Sequence, residues 1–190
     1  MSDTFSSSKS VRHFFRFTKC LTLLWVVVCV AGCGPETLGR DWHRVDPPVA
    51  APDFALPQFG GATLRLSDLR GRVVVMDFWA TWCGPCRSAL PSMEAMFRKY
   101  RDRGVTILLI NEGESPEQIT KWASQRYTAP ILLDPGAVGE LYRVRGIPQM
   151  FVVNQEGKIV YLHGGYGGGL ERSLKLIFEE LLAAGAATHG

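Results

Sequence analysis

The run Val73-Val74-Val75-Met76-Asp77-Phe78-Trp79 constrains this chain more than any other stretch, because it leads directly into Trp82-Cys83-Gly84-Pro85-Cys86. A continuous apolar, β-branched run reads as a central strand buried on both faces. It delivers two thiols, two residues apart, to the start of an amphipathic segment. At a helix start that spacing lets the sulfurs meet in a small ring with little backbone movement. The helix N-terminus favours the thiolate of the first cysteine. The arrangement suits reversible dithiol–disulfide exchange.

Two other uses of the pair stand beside this one. Half of a zinc site would need two more Cys or His ligands, usually closely spaced. The remaining cysteines, Cys20, Cys29 and Cys33, lie near the N-terminus, and His13, His43, His163 and His189 are scattered. A purely structural disulfide is the other use, but so short a loop constrains the unfolded chain weakly.

Residues 1–32 read as a targeting segment. Lys9, Arg12, His13, Arg16 and Lys19 form a basic front, and Leu21 to Ala31 is an uncharged apolar core. That core is short for a transmembrane helix, which needs about twenty apolar residues. It ends Val30-Ala31-Gly32-Cys33, which resembles a bacterial lipoprotein signal with Cys33 as the lipidated new N-terminus. An uncleaved anchor and an ordinary secretory peptide are the alternatives, and all three place the domain outside the cytoplasm. Cleavage before Cys33 would remove Cys20 and Cys29 and leave Cys83 and Cys86 as the free thiols. It would also take four of the 21 basic residues and Asp3 from the 18 acidic ones, leaving 17 of each. The basic balance thus belongs to the targeting segment and gives no support to nucleic-acid binding.

Residues 33–52 read as a tether, since Pro35, Pro47, Pro48 and Pro52 interrupt helices and central strands. From Asp53 the composition is globular, and the roughly 130 residues beyond it suit one domain with a real core. The pattern predicts strands at Val73–Phe78, Val105–Ile110 and Pro130–Leu133. It predicts helices over Pro85–Arg101, with a kink at Pro91, over Pro116–Arg126 and over Gly136–Tyr142. Ser115-Pro116-Glu117-Gln118 has the residues of a capping box. Met150–Val153 and Ile159–Leu162 flank a polar loop containing Gly157 and read as a hairpin. Leu170, Leu174, Ile177, Phe178, Leu181 and Leu182 mark a last amphipathic helix. Interleaved helices and strands with a late hairpin argue an α/β sandwich on a mixed sheet.

Asp77-Phe78-Trp79-Ala80, Trp82-Cys83-Gly84-Pro85-Cys86 and Gly146-Ile147-Pro148 occur in this order within residues 53–185 and resemble the thioredoxin superfamily. Within it the chain is most similar to the TlpA/ResA-like branch of extracytoplasmic thiol-disulfide oxidoreductases. The export signal, the approach Ser67-Asp68-Leu69-Arg70-Gly71-Arg72 to the first core strand, and the extra strand–helix stretch around Glu117 to Leu133 favour that branch. The resemblance implies a thioredoxin fold, with a mixed central sheet flanked by helices and carrying that insertion.

It also implies roles. Cys83 would be the nucleophile at an exposed helix tip and Cys86 the resolving thiol. Asp77, an acid in an apolar strand, would relay protons to Cys86, its pKa raised by burial; a solvated strand end is the alternative. Pro148 would be cis and face the cysteines, leaving the Ile147 backbone to pair with substrate, and Trp82 would shield the sulfurs or touch substrate. Trp79 reads as core. The branch often has Asn at the position of Asp77 and Glu at that of Ala89, so the chain departs from it twice. Glu112 and Glu114 read as first-turn charges, His163 as a strand-end residue, and the glycines from Gly164 to Gly169 as a strand-to-helix turn.

The function expected is a membrane-tethered oxidoreductase, a monomer without metal or organic cofactor. It would exchange disulfides with protein substrates on the periplasmic side. Gly84-Pro85 points to a reductant, since thioredoxin with the same dipeptide stands at about −270 mV. Such a reductant draws electrons from a membrane thiol donor. The alternatives are a thiol peroxidase of peroxiredoxin type and a copper-handling chaperone.

Overall fold

The computed structural model describes residues 37–123 and 126–187. The expected targeting segment and Cys33 lie outside the described residues.

The chain enters with β1 (Trp42–Ala50), a short hairpin of β2 (Ala55–Pro57) and β3 (Thr63–Arg65), and a 3-10 turn at Leu66–Leu69. Then come β4 (Val73–Trp79), α1 (Gly84–Tyr100), β5 (Val105–Glu112), α2 (Pro116–Ala123) and β6 (Ile131–Asp134). The chain closes with α3 (Ala137–Leu141), β7 (Gln149–Val153), β8 (Lys158–Gly164) and α4 (Leu170–Ala187). Six strands form one mixed sheet in the order β1-β8-β7-β4-β5-β6. β4, β5 and β6 run parallel, while β7, β8 and β1 are each antiparallel to their neighbours.

β4 lies inside this sheet and all seven of its residues are buried, as a continuous apolar run requires. Its alternation divides the core. Val73, Val75 and Trp79 face α1 and α4 with Leu90, Met93, Leu174 and Phe178. Val74, Met76 and Phe78 face the other layer, with Leu56, Val138 and Tyr142. The capping box at α2 forms as predicted. The Ser115 N–H donates to Gln118 Oε1 at 2.9 Å, and the Gln118 N–H lies 3.5 Å from Ser115 Oγ. Helix α1 runs through Pro91 to Tyr100, and α2 is described over Pro116–Ala123.

The largest correction concerns the expected tether. Residues 42–50 form an edge strand, paired antiparallel with β8 from Trp42–His163 to Ala50–Lys158. The register shifts between Arg44 and Val49, and Pro47 and Pro48 fall inside that irregularity on the sheet's margin, where a missing N–H costs no ladder bond. Trp42 is buried; its ring meets Tyr161 edge-on, with centroids 6.5 Å apart, and His163 at 4.6 Å. His163 stands next to last in β8, the strand-end position expected. It is buried in β8, its Nδ1 has no partner, and burial lowers its pKa. The domain therefore begins well before Asp53. Among the described residues no helix is long and apolar enough to cross a membrane.

Candidate active site

The parallel strands β4, β5 and β6 end on the same side of the sheet, and the candidate site is built there. From Trp79 the chain turns through Ala80, Thr81 and Trp82, closed by the Cys83 N–H donating to the Ala80 carbonyl at 3.1 Å. Cys83 is the N-cap of α1, with extended backbone. Its Sγ accepts from the Cys86 N–H at 3.2 Å, so a donor of the first helical turn points at this sulfur. Gly84 and Pro85 occupy the first helical positions, where the missing proline N–H costs nothing. Cys83 and Cys86 are joined in a disulfide.

Both cysteines are buried. Cys83 is 5 % exposed and Cys86 is fully buried, whereas Trp82 beside them is 70 % exposed. The expected exposed tip is therefore tryptophan, with the outer sulfur just beneath it. The Ile147–Pro148 peptide is cis. The Ile147 carbonyl oxygen lies 3.8 Å from Cys83 Sγ, so this loop forms the wall opposite the cysteines. Pro148 is buried and its carbonyl accepts from the Gly165 N–H at 2.9 Å, tying the wall to the loop after β8.

Asp77 is fully buried and neither carboxyl oxygen has a hydrogen-bond partner. Burial alone pushes its pKa up to about 8. The alternative of a solvated strand end does not hold. Asp77 shares the strand parity of Val75 and Trp79, so it projects from β4 toward the layer of α1 that carries Cys86. Its register neighbours on that face are Leu109 of β5 and Met150 of β7, both fully buried.

Three acids of the domain play parts that the sequence pattern did not assign. Glu94 sits on the buried face of α1 and accepts from the Thr128 N–H, the Thr128 hydroxyl and the Ala129 N–H at 2.7–3.0 Å, and from Arg98 at 2.5 Å. Those bonds outweigh its burial and hold its pKa below the usual value. Glu112, expected as a first-turn charge, ends β5 in register with Asp134. Burial, then the neighbouring Asp134 carboxylate, raise it to about 7. Asp134 itself accepts the N–H groups of Gly136, Val138 and Gly139 and so fixes the start of α3. Glu114 turns away from the helix it precedes and binds Thr81 and Asn111. Among the described residues no three His, Cys, Asp or Glu side chains converge as metal ligands.

Residues 48–162 match the AhpC/TSA family. The chain belongs to that family. Among curated relatives, the thiol-disulfide oxidoreductase ResA of Bacillus subtilis is 37 % identical over 112 residues, which are 58 % of this chain and 63 % of that protein. This AhpC/TSA chain thus spans less than two thirds of that relative. Among solved structures, a chain from Chlorobium tepidum assigned as a thiol:disulfide interchange protein DsbE is 35 % identical with a TM-score of 0.68. That likeness covers 73 % of this chain and 99 % of that one. An exposed lipoprotein thioredoxin of Streptococcus pneumoniae is 30 % identical with a TM-score of 0.61, covering 68 % and all of the respective chains. The fold expected from the cysteine motif and the cis-proline motif is therefore the fold adopted.

Proposed function

We propose that this AhpC/TSA-family chain is a thiol-disulfide oxidoreductase that reduces disulfides in proteins through Cys83 and Cys86. The observation that carries the reading is the Cys83–Cys86 pair at the N-terminus of α1, with the unpartnered Asp77 carboxyl in the layer beneath.

In the reduced state the Cys83 thiolate is favoured by the Cys86 N–H and the helix N-terminus. It attacks one sulfur of a substrate disulfide; the new bond joins Cys83 to the substrate, and the other substrate sulfur leaves as a thiolate. Asp77, with its pKa near 8, is mostly protonated at neutral pH, and its minor ionised fraction takes the proton from the Cys86 thiol. Cys86 then attacks Cys83 Sγ and releases the second substrate thiol, leaving the Cys83–Cys86 disulfide. A dithiol donor of the membrane returns two electrons. Trp82 and the Ile147 backbone flank the sulfur and receive the substrate segment.

The Gly84-Pro85 dipeptide supports the reducing direction. The basic front, apolar core and Cys33 support a lipid anchor on the extracytoplasmic face, and the streptococcal relative is itself described as an exposed lipoprotein. A peroxidase of peroxiredoxin type would need Pro-x-x-x-Thr-x-x-Cys, but Met76 and Ala80 stand where Pro and Thr belong before Cys83. The test is reduction of insulin by the dithiothreitol-fed chain, alongside peroxide as substrate. Insulin turnover abolished by Cys83→Ser supports the proposal. Peroxide turnover without insulin turnover refutes it.

A further inference from the structure

Glu114 stands at the junction between the active-site turn and the central sheet. Its Oε2 accepts from the Thr81 N–H at 2.7 Å and from the Asn111 amide at 2.8 Å, and its Oε1 accepts from the Thr81 hydroxyl. Asn111 is fully buried in β5 and in register with Trp79, so the sheet fixes that amide. Thr81 lies two residues before Cys83, and both its donors go to this one carboxylate. The anchor is itself held, because Glu114 is followed at once by the capping box of Ser115 and Gln118. The α2 segment therefore has a link to the sulfurs: cap, Glu114, Thr81, Trp82, Cys83.

We infer that Glu114 is a positioning residue that holds the Thr81-Trp82-Cys83 turn against the sheet. In doing so it sets where Cys83 Sγ stands relative to the Cys86 N–H and the Ile147 wall. Hydrogen bonds to an ionised acceptor are about twice as strong as neutral ones, and three converge here. Reduction removes the covalent tie between Cys83 and Cys86, and the tie from Glu114 to Thr81 remains. That matters because misplacing a reacting atom by about 1 Å costs up to about a hundredfold in rate. The inference rests on the reading of Cys83 as the nucleophile.

Glu114 also brings negative charge toward a sulfur that must ionise, so its geometric and charge effects oppose each other. Glu114→Gln separates them. Its carbonyl takes the place of Oε2 beneath the Thr81 N–H and the Asn111 amide, and its NH2 donates to the Thr81 hydroxyl, which turns to accept. Glu114→Ala loses both the charge and the bonds. The experiment is alkylation of the reduced full-length chain by iodoacetamide across pH 5–9, read at Cys83 by peptide mass, with insulin KM and kcat measured in parallel. The expected result is a Cys83 midpoint in Glu114→Ala above that in Glu114→Gln. Insulin kcat/KM should fall about tenfold in Glu114→Ala, and Glu114→Gln should recover most of that loss. Equal midpoints in the two variants overturn the inference. If Glu114→Ala fails to fold, Thr81→Val removes the hydroxyl bond alone. It should raise the midpoint, Thr81→Ser should restore it, and a Thr81→Val midpoint matching the parent overturns the inference. Absence of insulin turnover in the parent chain would count against the oxidoreductase reading, while the alkylation midpoints still report on Glu114.

Discussion

Asp77→Asn should stabilise the folded chain, and by an amount that depends on pH in a way few substitutions imitate. The carboxyl titrates near 3.8 when free in solution and near 8 in the folded protein. Below about pH 4 both states hold the proton and the substitution changes no charge. Between these values the unfolded chain releases a proton that the folded chain keeps, so folding loses stability as pH rises. Above about pH 8 the folded group is ionised as well and the loss is complete. Displacement over about four pH units, at about 1.36 kcal/mol each, corresponds to roughly 5 kcal/mol. Asn has the same shape and no charge, and it leaves buried polar atoms unpartnered much as the protonated acid does, so that cost largely cancels. The assay is guanidinium unfolding of the oxidised parent and Asp77→Asn chains from pH 4 to pH 9.5. The two should be nearly equal at pH 4 and diverge steadily toward pH 9, Asp77→Asn the more stable. A difference constant with pH, or an Asp77→Asn chain less stable at high pH, would refute a neutral buried acid and with it the proton relay.

Glu94 is the opposite case, a buried carboxylate held ionised by its donors. Glu94→Ala leaves the N–H groups of Thr128 and Ala129 without partners and should cost about 2–4 kcal/mol at pH 7 in the same unfolding assay. That contribution is present above the ordinary carboxyl pKa and fades as pH falls below it, so the gap between Glu94→Ala and the parent should narrow in acid. Glu112 has a raised pKa of about 7, so its ionisation beside Asp134 removes stability as pH rises toward and through 7. Glu112→Gln should flatten that part of the parent's profile and slow amide hydrogen exchange in α3 above pH 7, where Val138 and Gly139 pack beside the pair.

The strand, turn and helix around Cys83 were legible in the sequence because local signals agreed: apolar strand, cysteine spacing, Pro85 in the first turn and an amphipathic face. The capping box at Ser115 and the hairpin around Gly157 were legible for the same reason. β1 was not. Pro47 and Pro48 argue locally for extended, unpaired chain, and only β8, more than a hundred residues away, supplies the partner that makes an edge strand of it. β2 and β3 are three residues each, too short for an alternation to stand out. At the site, the burial of Asp77 followed from its neighbours in β4. Glu94, Glu112 and Glu114 were opaque, because an acid reads as solvated until the donors that hold it are found. The donors of Glu94 and Glu114, Thr128 and Thr81 among them, come from other elements, and Glu112 is marked instead by its burial beside Asp134.

The central claim is that Cys83 attacks and Cys86 resolves. Reduced Cys86→Ser and Cys83→Ser chains, each mixed with a short peptide disulfide and mapped by mass, test it most directly. The account predicts one dithiothreitol-sensitive peptide adduct on Cys83 that persists in Cys86→Ser, and slow or no adduct on Cys86 in Cys83→Ser. Equal capture by the two cysteines, or a Cys86→Ser chain that never retains the peptide, would contradict it.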